Sequence, residues 1–210
     1  MKNILEIKNL YHAYNPEIST IKDFSFSLSK GEIVSIIGAS GIGKTTLLRI
    51  IAGLESIIDG EVIINEQVVS KKNFILPPEK RNVGLVVEDR ALFPHLNVEK
   101  NVMFGIRHLQ ERNSLAHEYL SLFKVADLGK KYPHEISAGQ QQRVAFARTL
   151  ITDPDILLLD EPFGALDKNL KTELHLETKK IFKDKGLSVL MVTHDQEEAE
   201  YFSDRVIEFH

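Results

Sequence analysis

The sequence predicts an α/β fold with a mostly parallel sheet, an N-terminal antiparallel β lobe and an inserted α-helical lobe. Three observations carry that reading. Ile33 to Ile37 is an apolar, β-branched run that passes through a glycine-rich loop into the apolar pattern Leu47-Leu48-Arg49-Ile50-Ile51-Ala52. Ile156 to Leu159 and Ser188 to Val192 are short apolar runs of the kind that strands buried in a parallel sheet show. Residues 98–128, by contrast, carry apolar residues at three- and four-residue steps and hold no strand candidate.

The elements follow in order. Ile4 to Leu10 alternates apolar and polar residues, and Lys22 to Leu28 places Phe24, Phe26 and Leu28 on one face; the turn signal Asn15-Pro16 lies between them. These two strands form the β lobe. Tyr11 and Tyr14 sit in the connection, where an aromatic either stacks on a flat ligand or packs beneath a turn; local sequence favours packing. Gly53 and Gly60 close turns around Glu55 to Asp59, and Glu61 to Asn65 reads as a strand. Lys71 to Arg81 reads as a loop, and Asn82 to Val87 as a buried parallel strand ending at Glu88. Val102, Ile106, Leu109, Leu115, Tyr119, Leu122 and Phe123 recur at three- and four-residue steps, the period of helices in a separate lobe. Ser137 is the expected N-cap of the next helix, stopped by Asp153-Pro154. Lys168 to Phe182 reads as a helix with Leu170, Leu174 and Ile181 inward, then come a short helix, Gln196 to Phe202, and a last strand, Arg205 to Phe209.

A chain of 210 residues with 43% hydrophobic and 27% charged residues suits a globular domain rather than a disordered one. A net charge of −4 gives no general attraction to nucleic acid or anionic lipid. With no cysteine, disulfide and thiolate chemistry are excluded, which fits a reducing compartment. No run reaches the ~18 apolar residues that a membrane-spanning helix needs. The expected location is therefore cytosolic, or at a membrane through a partner.

The chemistry gathers at strand ends. Gly38, Gly43, Lys44 and Thr45 fill the spacing G-x-x-x-x-G-K-[ST] within Gly38-Ala39-Ser40-Gly41-Ile42-Gly43-Lys44-Thr45-Thr46. Such a loop offers backbone N–H groups and a helix N-terminus to a polyphosphate, a lysine for the terminal phosphates and a hydroxyl for Mg²⁺. Asp160 follows one apolar run and suits the metal; Glu161 lies one residue further out and suits the base; His194, after another, suits the γ-phosphate.

Over Ile4 to Phe209 these motifs, in this order, resemble the nucleotide-binding subunit of an ATP-binding cassette (ABC) transporter, which is built on a P-loop NTPase core. Ile136-Ser137-Ala138-Gly139-Gln140 is similar to the family signature L-S-G-G-Q. The resemblance implies one domain over 1–210, with a core of about 1–87 and 153–210 and a helical lobe of about 88–152. It implies ATP and Mg²⁺ as ligands, with residues 38–46 on the phosphates, Tyr14 on the adenine, and Thr45, Glu88 and Asp160 toward the metal. Glu161 and His194 would be catalytic. Asp167, in Ala165-Leu166-Asp167, would lie in the loop crossing a dimer interface, and Ser137, Ala138, Gly139 and Gln140 would reach the nucleotide of a second copy. Implied partners are that copy, membrane permease subunits and, indirectly, a solute-binding protein, at the cytoplasmic face of the membrane, with no nucleic acid. Ala91-Leu92-Phe93-Pro94-His95-Leu96 and Asn101-Val102-Met103-Phe104-Gly105 resemble prokaryotic importers for iron(III), polyamines, sugars, sulfate or thiamine, iron(III) being the leading expectation.

Two other readings are weaker. A soluble ABC ATPase acting on ribosomes or DNA usually has two cassettes or long coiled-coil or basic insertions. A cassette with weak turnover is opposed by Lys44, Asp160, Glu161 and His194 all being present.

The departures from the family pattern are Ile136, Ala138 and Glu88, the last standing where relatives have glutamine. A carboxylate there can ligate Mg²⁺ but adds negative charge beside the γ-phosphate. Glu88→Gln is therefore expected to tighten ATP binding and relax its Mg²⁺ dependence. Equal affinity and equal Mg²⁺ dependence in titrations of the two proteins would contradict that expectation.

Overall fold

The computed structural model describes residues 2–15, 18–164 and 168–209, with backbone alone for 168–170. β1 (Asn3–His12) and β2 (Ile21–Ser29) pair antiparallel, with Leu5, Ile7, Leu10, Phe26 and Leu28 buried. Their register shifts between Ile7 and Leu10, where Asn9 adopts φ 44° and donates its backbone N–H to Ser25 Oγ at 2.9 Å. Asparagine tolerates that left-handed conformation, so a bulge is accommodated there.

β3 (Ile33–Ile37) leads to α1 (Lys44–Ala52), and the chain then builds β4 (Asp59–Ile64), β5 (Gln67–Lys71) and β6 (Phe74–Ile75). β5 and β6 were not expected. Asn65 and Glu66 both take positive φ, 49° and 66°, which makes a tight two-residue hairpin between β4 and β5. Glutamate at the second turn position hides the usual Asn-Gly signal. The expected loop from Lys71 to Arg81 is correspondingly interrupted by β6, which pairs with β5.

β7 (Val83–Val86) precedes α2 (Val98–Val102), α3 (Arg112–Leu122) and α4 (Ala138–Leu150); β8 (Ile156–Asp160), α5 (Lys168–Asp184), β9 (Ser188–Thr193), α6 (Gln196–Phe202) and β10 (Arg205–Glu208) follow. Among the described residues, two five-stranded sheets result. One, in the order β2-β1-β4-β5-β6, is antiparallel; the other runs β10-β3-β9-β8-β7, with β10, β3, β9 and β8 parallel. The α/β class, the antiparallel β lobe, the parallel sheet and the helical segment match the sequence reading. β7 is at the sheet edge and alternates half-buried and buried residues, rather than being wholly buried as expected.

The chain divides into two compact units, one of Met1–Leu85, Asp155–Glu161 and Thr178–His210, the other of Val86–Pro154 and Pro162–Glu177. In the first, Leu47, Leu48, Ile50 and Ile51 of α1 join one apolar core with Leu5 and Ile7 of the antiparallel sheet and Val34, Leu158 and Leu190 of the parallel sheet. In the second, α4 contacts both α2 and α3. Asn101 is buried in α2 with its amide fully used: Oδ1 accepts from Phe93 N–H at 2.8 Å, and Nδ2 donates to the Leu96 carbonyl at 2.9 Å. Leu109 is 40% exposed and lies outside the expected helix, because the chain leaves helix after Ile106 and resumes it only at Arg112. On α5, Leu174 is buried as expected, but Ile181 is half-buried and Phe182 takes the inward place; Leu170 lies outside the described side chains.

Arg81 was not anticipated and ties the first unit together. Its guanidinium is buried and donates to the carbonyls of Leu76 (2.7 Å), Ile50 (2.8 Å), Ile51 (3.0 Å) and Val69 (2.9 Å), and to Ser70 Oγ (2.8 Å). Burial pulls its pKa down to about 10, so it stays charged at neutral pH. Two of those carbonyls lie in the last turn of α1, where helical donors run out, and that of Ile50 also accepts Gly53 N–H at 3.1 Å. Gly53 ends that helix at φ 83°, and a Cβ there would meet Arg81 Nε at 2.5 Å, so glycine serves both the turn and the guanidinium. Arg81→Ala leaves these acceptors buried and is expected to cost about 3 kcal/mol of stability in urea unfolding. Arg81→Lys, with a single ammonium, should recover less than half. A loss below about 1 kcal/mol for Arg81→Ala would contradict the assignment.

Candidate active site

The parallel register sets the site. Ile37 pairs with Thr193, and Asp160 with Val192, so the carboxyl ends of β3, β9 and β8 lie side by side. From β3 the chain turns through Gly38 to Gly43 into α1. Gly43 is the N-cap at φ 115°, no side chain caps the helix, and no acidic residue stands in its first turn. A Cβ on Gly43 would meet the Thr20 carbonyl at 2.9 Å, and one on Gly38 the Phe209 carbonyl at 2.9 Å. Glycine is therefore required at Gly43 by both conformation and space, and at Gly38 by space. Ala39, Ser40 and Gly41 form the exposed tip, with Ile42 half-buried behind them.

Lys44 is buried, and its ammonium donates to the carbonyls of Gly38 (2.7 Å) and Ala39 (3.0 Å), with Glu161 Oε1 at 4.0 Å. Thr45 Oγ1 donates to Asp160 Oδ1 at 3.1 Å. Glu161 follows β8 at φ 47° and gives its backbone N–H to the Val192 carbonyl at 3.0 Å. That strained conformation aims its side chain across the strand ends. Oε2 lies 2.8 Å from His194 Nδ1 and 3.5 Å from Thr193 Oγ1. Thr193 Oγ1 also donates to Glu198 and accepts from Asp195 N–H at 3.1 Å. Lys44, Thr45, Asp160, Glu161 and His194 are thus brought together, with Thr193 as a participant the sequence reading missed.

Tyr14 is 61% exposed, and its hydroxyl lies 3.3 Å from Thr46 Oγ1, beside the phosphate loop. Its ring meets His12 edge to face, with centroids 4.6 Å apart and an interplanar angle of 80°. His12 was also missed, although the period of two that turns Leu10 inward also turns His12 inward. Burial lowers the His12 pKa below its usual 6.5, and the facing Glu55 carboxylate offsets this only in part.

The remaining expected residues belong to the second unit. Glu88 is exposed in a turn after β7. Ser137 is the N-cap of α4 as expected: Oγ accepts from Gln140 N–H at 3.3 Å, and Gln140 Oε1 accepts from Ser137 N–H at 2.9 Å. This reciprocal capping box leaves Ala138 exposed as the first helical residue and Gly139 buried behind it. Alanine suits that position by helix propensity. Asp167, with Ala165 and Leu166, lies outside the described residues.

A family model described as "ABC transporter" matches residues 21–164. The chain belongs to the ABC transporter family. It is 41% identical over 207 residues to the Fe(3+) ions import ATP-binding protein FbpC 2 of Haemophilus influenzae, covering 97% of this chain and 58% of that protein. It is 40% identical over 211 residues to the spermidine/putrescine import ATP-binding protein PotA of Bacillus anthracis, covering 99% of this chain and 63% of that protein. The chain therefore spans about three fifths of the length of the curated relatives it matches. Among solved structures, it is similar to a dimeric ATP-binding cassette in a post-hydrolysis state bound to ADP and Pi. The TM-score is 0.83 at 32% identity, over 98% of this chain and 94% of that one. This ABC chain has, among its described residues, no helix long and apolar enough to cross a membrane.

Proposed function

We propose that the chain is the ATP-binding and ATP-hydrolysing subunit of a prokaryotic importer, powering solute uptake through a membrane permease by ATP-driven pairing of two copies. The observation that carries the reading is the cluster of Lys44, Thr45, Asp160, Glu161 and His194 at the ends of three adjacent parallel strands. We read the two compact units as the core and helical lobe of a single ABC ATPase domain.

In this reading the phosphates of ATP lie against the backbone of residues 38–46 and the N-terminus of α1. Lys44 exchanges its two carbonyl acceptors for phosphate oxygens, a stronger charge-assisted pairing. The Thr45 hydroxyl and Asp160 carboxylate, 3.1 Å apart, are hard oxygen donors and fit Mg²⁺, with Glu88 as a third. When bound, Mg²⁺ supplies charge neutralisation across the phosphates. Glu161 takes a proton from the attacking water, and His194, hydrogen-bonded to it through Nδ1, keeps Nε2 for the γ-phosphate. Tyr14 stacks on the adenine. Ser137, Ala138, Gly139 and Gln140 face the nucleotide of the other copy, using the N-terminus of α4 as an anion site, and Asp167 lies at that interface. Closing and reopening of the pair would drive the permease.

The partners in this proposal are a second copy, permease subunits and a solute-binding protein at the cytoplasmic face of the membrane. Iron(III) is the leading solute in this proposal and a polyamine the other, since relatives named for Fe(3+) import and for spermidine/putrescine import match at similar identity, 41% and 40%. Stimulation of ATPase by iron(III) or by polyamine, in vesicles holding chain and permease, separates the two. The enzymatic core is tested by Mg²⁺-dependent ATP turnover of the purified chain against Glu161→Gln, which should lose about 100-fold or more. Turnover unchanged by Glu161→Gln would overturn the role of Glu161.

A further inference from the structure

His12 is a buried histidine whose nitrogens do little. The residue is 3% exposed, and Nδ1 has no hydrogen-bond partner. Nε2 lies 3.9 Å from Glu55 Oε1, beyond hydrogen-bonding distance. Leaving a buried nitrogen unpaired is costly, and an aliphatic side chain would fill the volume without that cost. The close contact the imidazole does make is with Tyr14, in the edge-to-face geometry that aromatic pairs prefer. Tyr14 is otherwise exposed and is held among the described residues by two contacts: this ring, and the hydroxyl of Thr46. The hydroxyl contact fixes the position of Tyr14 Oη but leaves the ring plane free to turn. The imidazole ring, near-perpendicular to it, sets that plane.

We propose that His12 is the positioning residue that holds the Tyr14 ring in the orientation required to stack on the nucleotide base. The proposal rests on the reading of Tyr14 as the base-stacking residue. Glu55, in the segment after α1, stands at the imidazole's Nε2 side, and Arg49 Nη2 lies 3.9 Å from the other Glu55 oxygen. His12 is thereby seated between the far end of the phosphate-loop helix and Tyr14, while Tyr14 reaches Thr46 at the near end. The contacts of the imidazole are with Tyr14 and Glu55, neither of them assigned to phosphate or metal, so its effect is specific to the base.

Binding of MgATP and of magnesium triphosphate, which has no base, to the full chain tests this by calorimetry. Tyr14→Ala should weaken MgATP about tenfold or more and leave triphosphate unchanged. His12→Leu should weaken MgATP about fivefold, with triphosphate affinity and kcat at saturating ATP unchanged. The double variant should bind MgATP no more weakly than Tyr14→Ala, because one effect acts through the other. His12→Phe, which keeps a ring against Tyr14, should stay within about twofold of the original protein. Four results would overturn the proposal: normal MgATP binding by His12→Leu, additive effects, a Phe variant as weak as the Leu variant, or equal loss of both ligands. If Tyr14→Ala itself binds MgATP normally, the stacking role of Tyr14 is what fails, and the other arms distinguish that outcome from the failure of His12.

Discussion

The candidate site depends on one constraint, the in-register parallel pairing of β3, β9 and β8. Ile37 opposite Thr193, and Val192 opposite Asp160, put a glycine loop, a threonine-histidine pair and two carboxylates at the same height. A slip of one residue in either pairing would turn the side chains after it to the opposite face of the sheet. The apolar runs in these strands, buried throughout in β8 and β9, thus do more than build a core. They set the coordinates of five polar side chains that lie far apart in sequence.

Those side chains satisfy one another. Lys44 rests on two carbonyls of its own loop, Thr45 on Asp160, and Glu161 on His194. Each such bond is worth about 1 kcal/mol net, somewhat more where a charge is involved, so a nucleotide offering stronger acceptors can displace them without unfolding anything. Glu161 sits in a left-handed conformation held by its N–H bond to Val192, which stores a modest strain at the residue assigned as the base. Arg81 has the opposite character. It saturates five acceptors in the interior and holds the end of α1 in place, while the start of α1 carries the loop.

Much of this was legible in the sequence because it rests on local chemistry. The glycine spacing, the strand-terminal Asp160-Glu161 and His194, and the cap at Ser137 each follow from neighbours a few residues away. What escaped depends on distant partners or on disguised turns. The hairpin at Asn65-Glu66 lacks the glycine that usually marks a two-residue turn. Arg81 reads as one more charge in a polar loop until Ile50, Val69 and Leu76 surround it. Leu109 fits a helical period that the chain abandons at Arg107. His12 carries the inward side of a strand pattern, but a histidine between two tyrosines gives no sign that one of them leans on it.

The central claim is that the loop from Gly38 to Thr46 grips a triphosphate through Lys44. Its most direct test is the affinity of the purified chain for MgATP compared with Lys44→Ala, with thermal unfolding of both proteins as a folding control. The account predicts roughly 10- to 100-fold weaker binding for Lys44→Ala, the loss of a charge-assisted bond to phosphate, at similar unfolding temperature. Equal affinity in two folded proteins would contradict it.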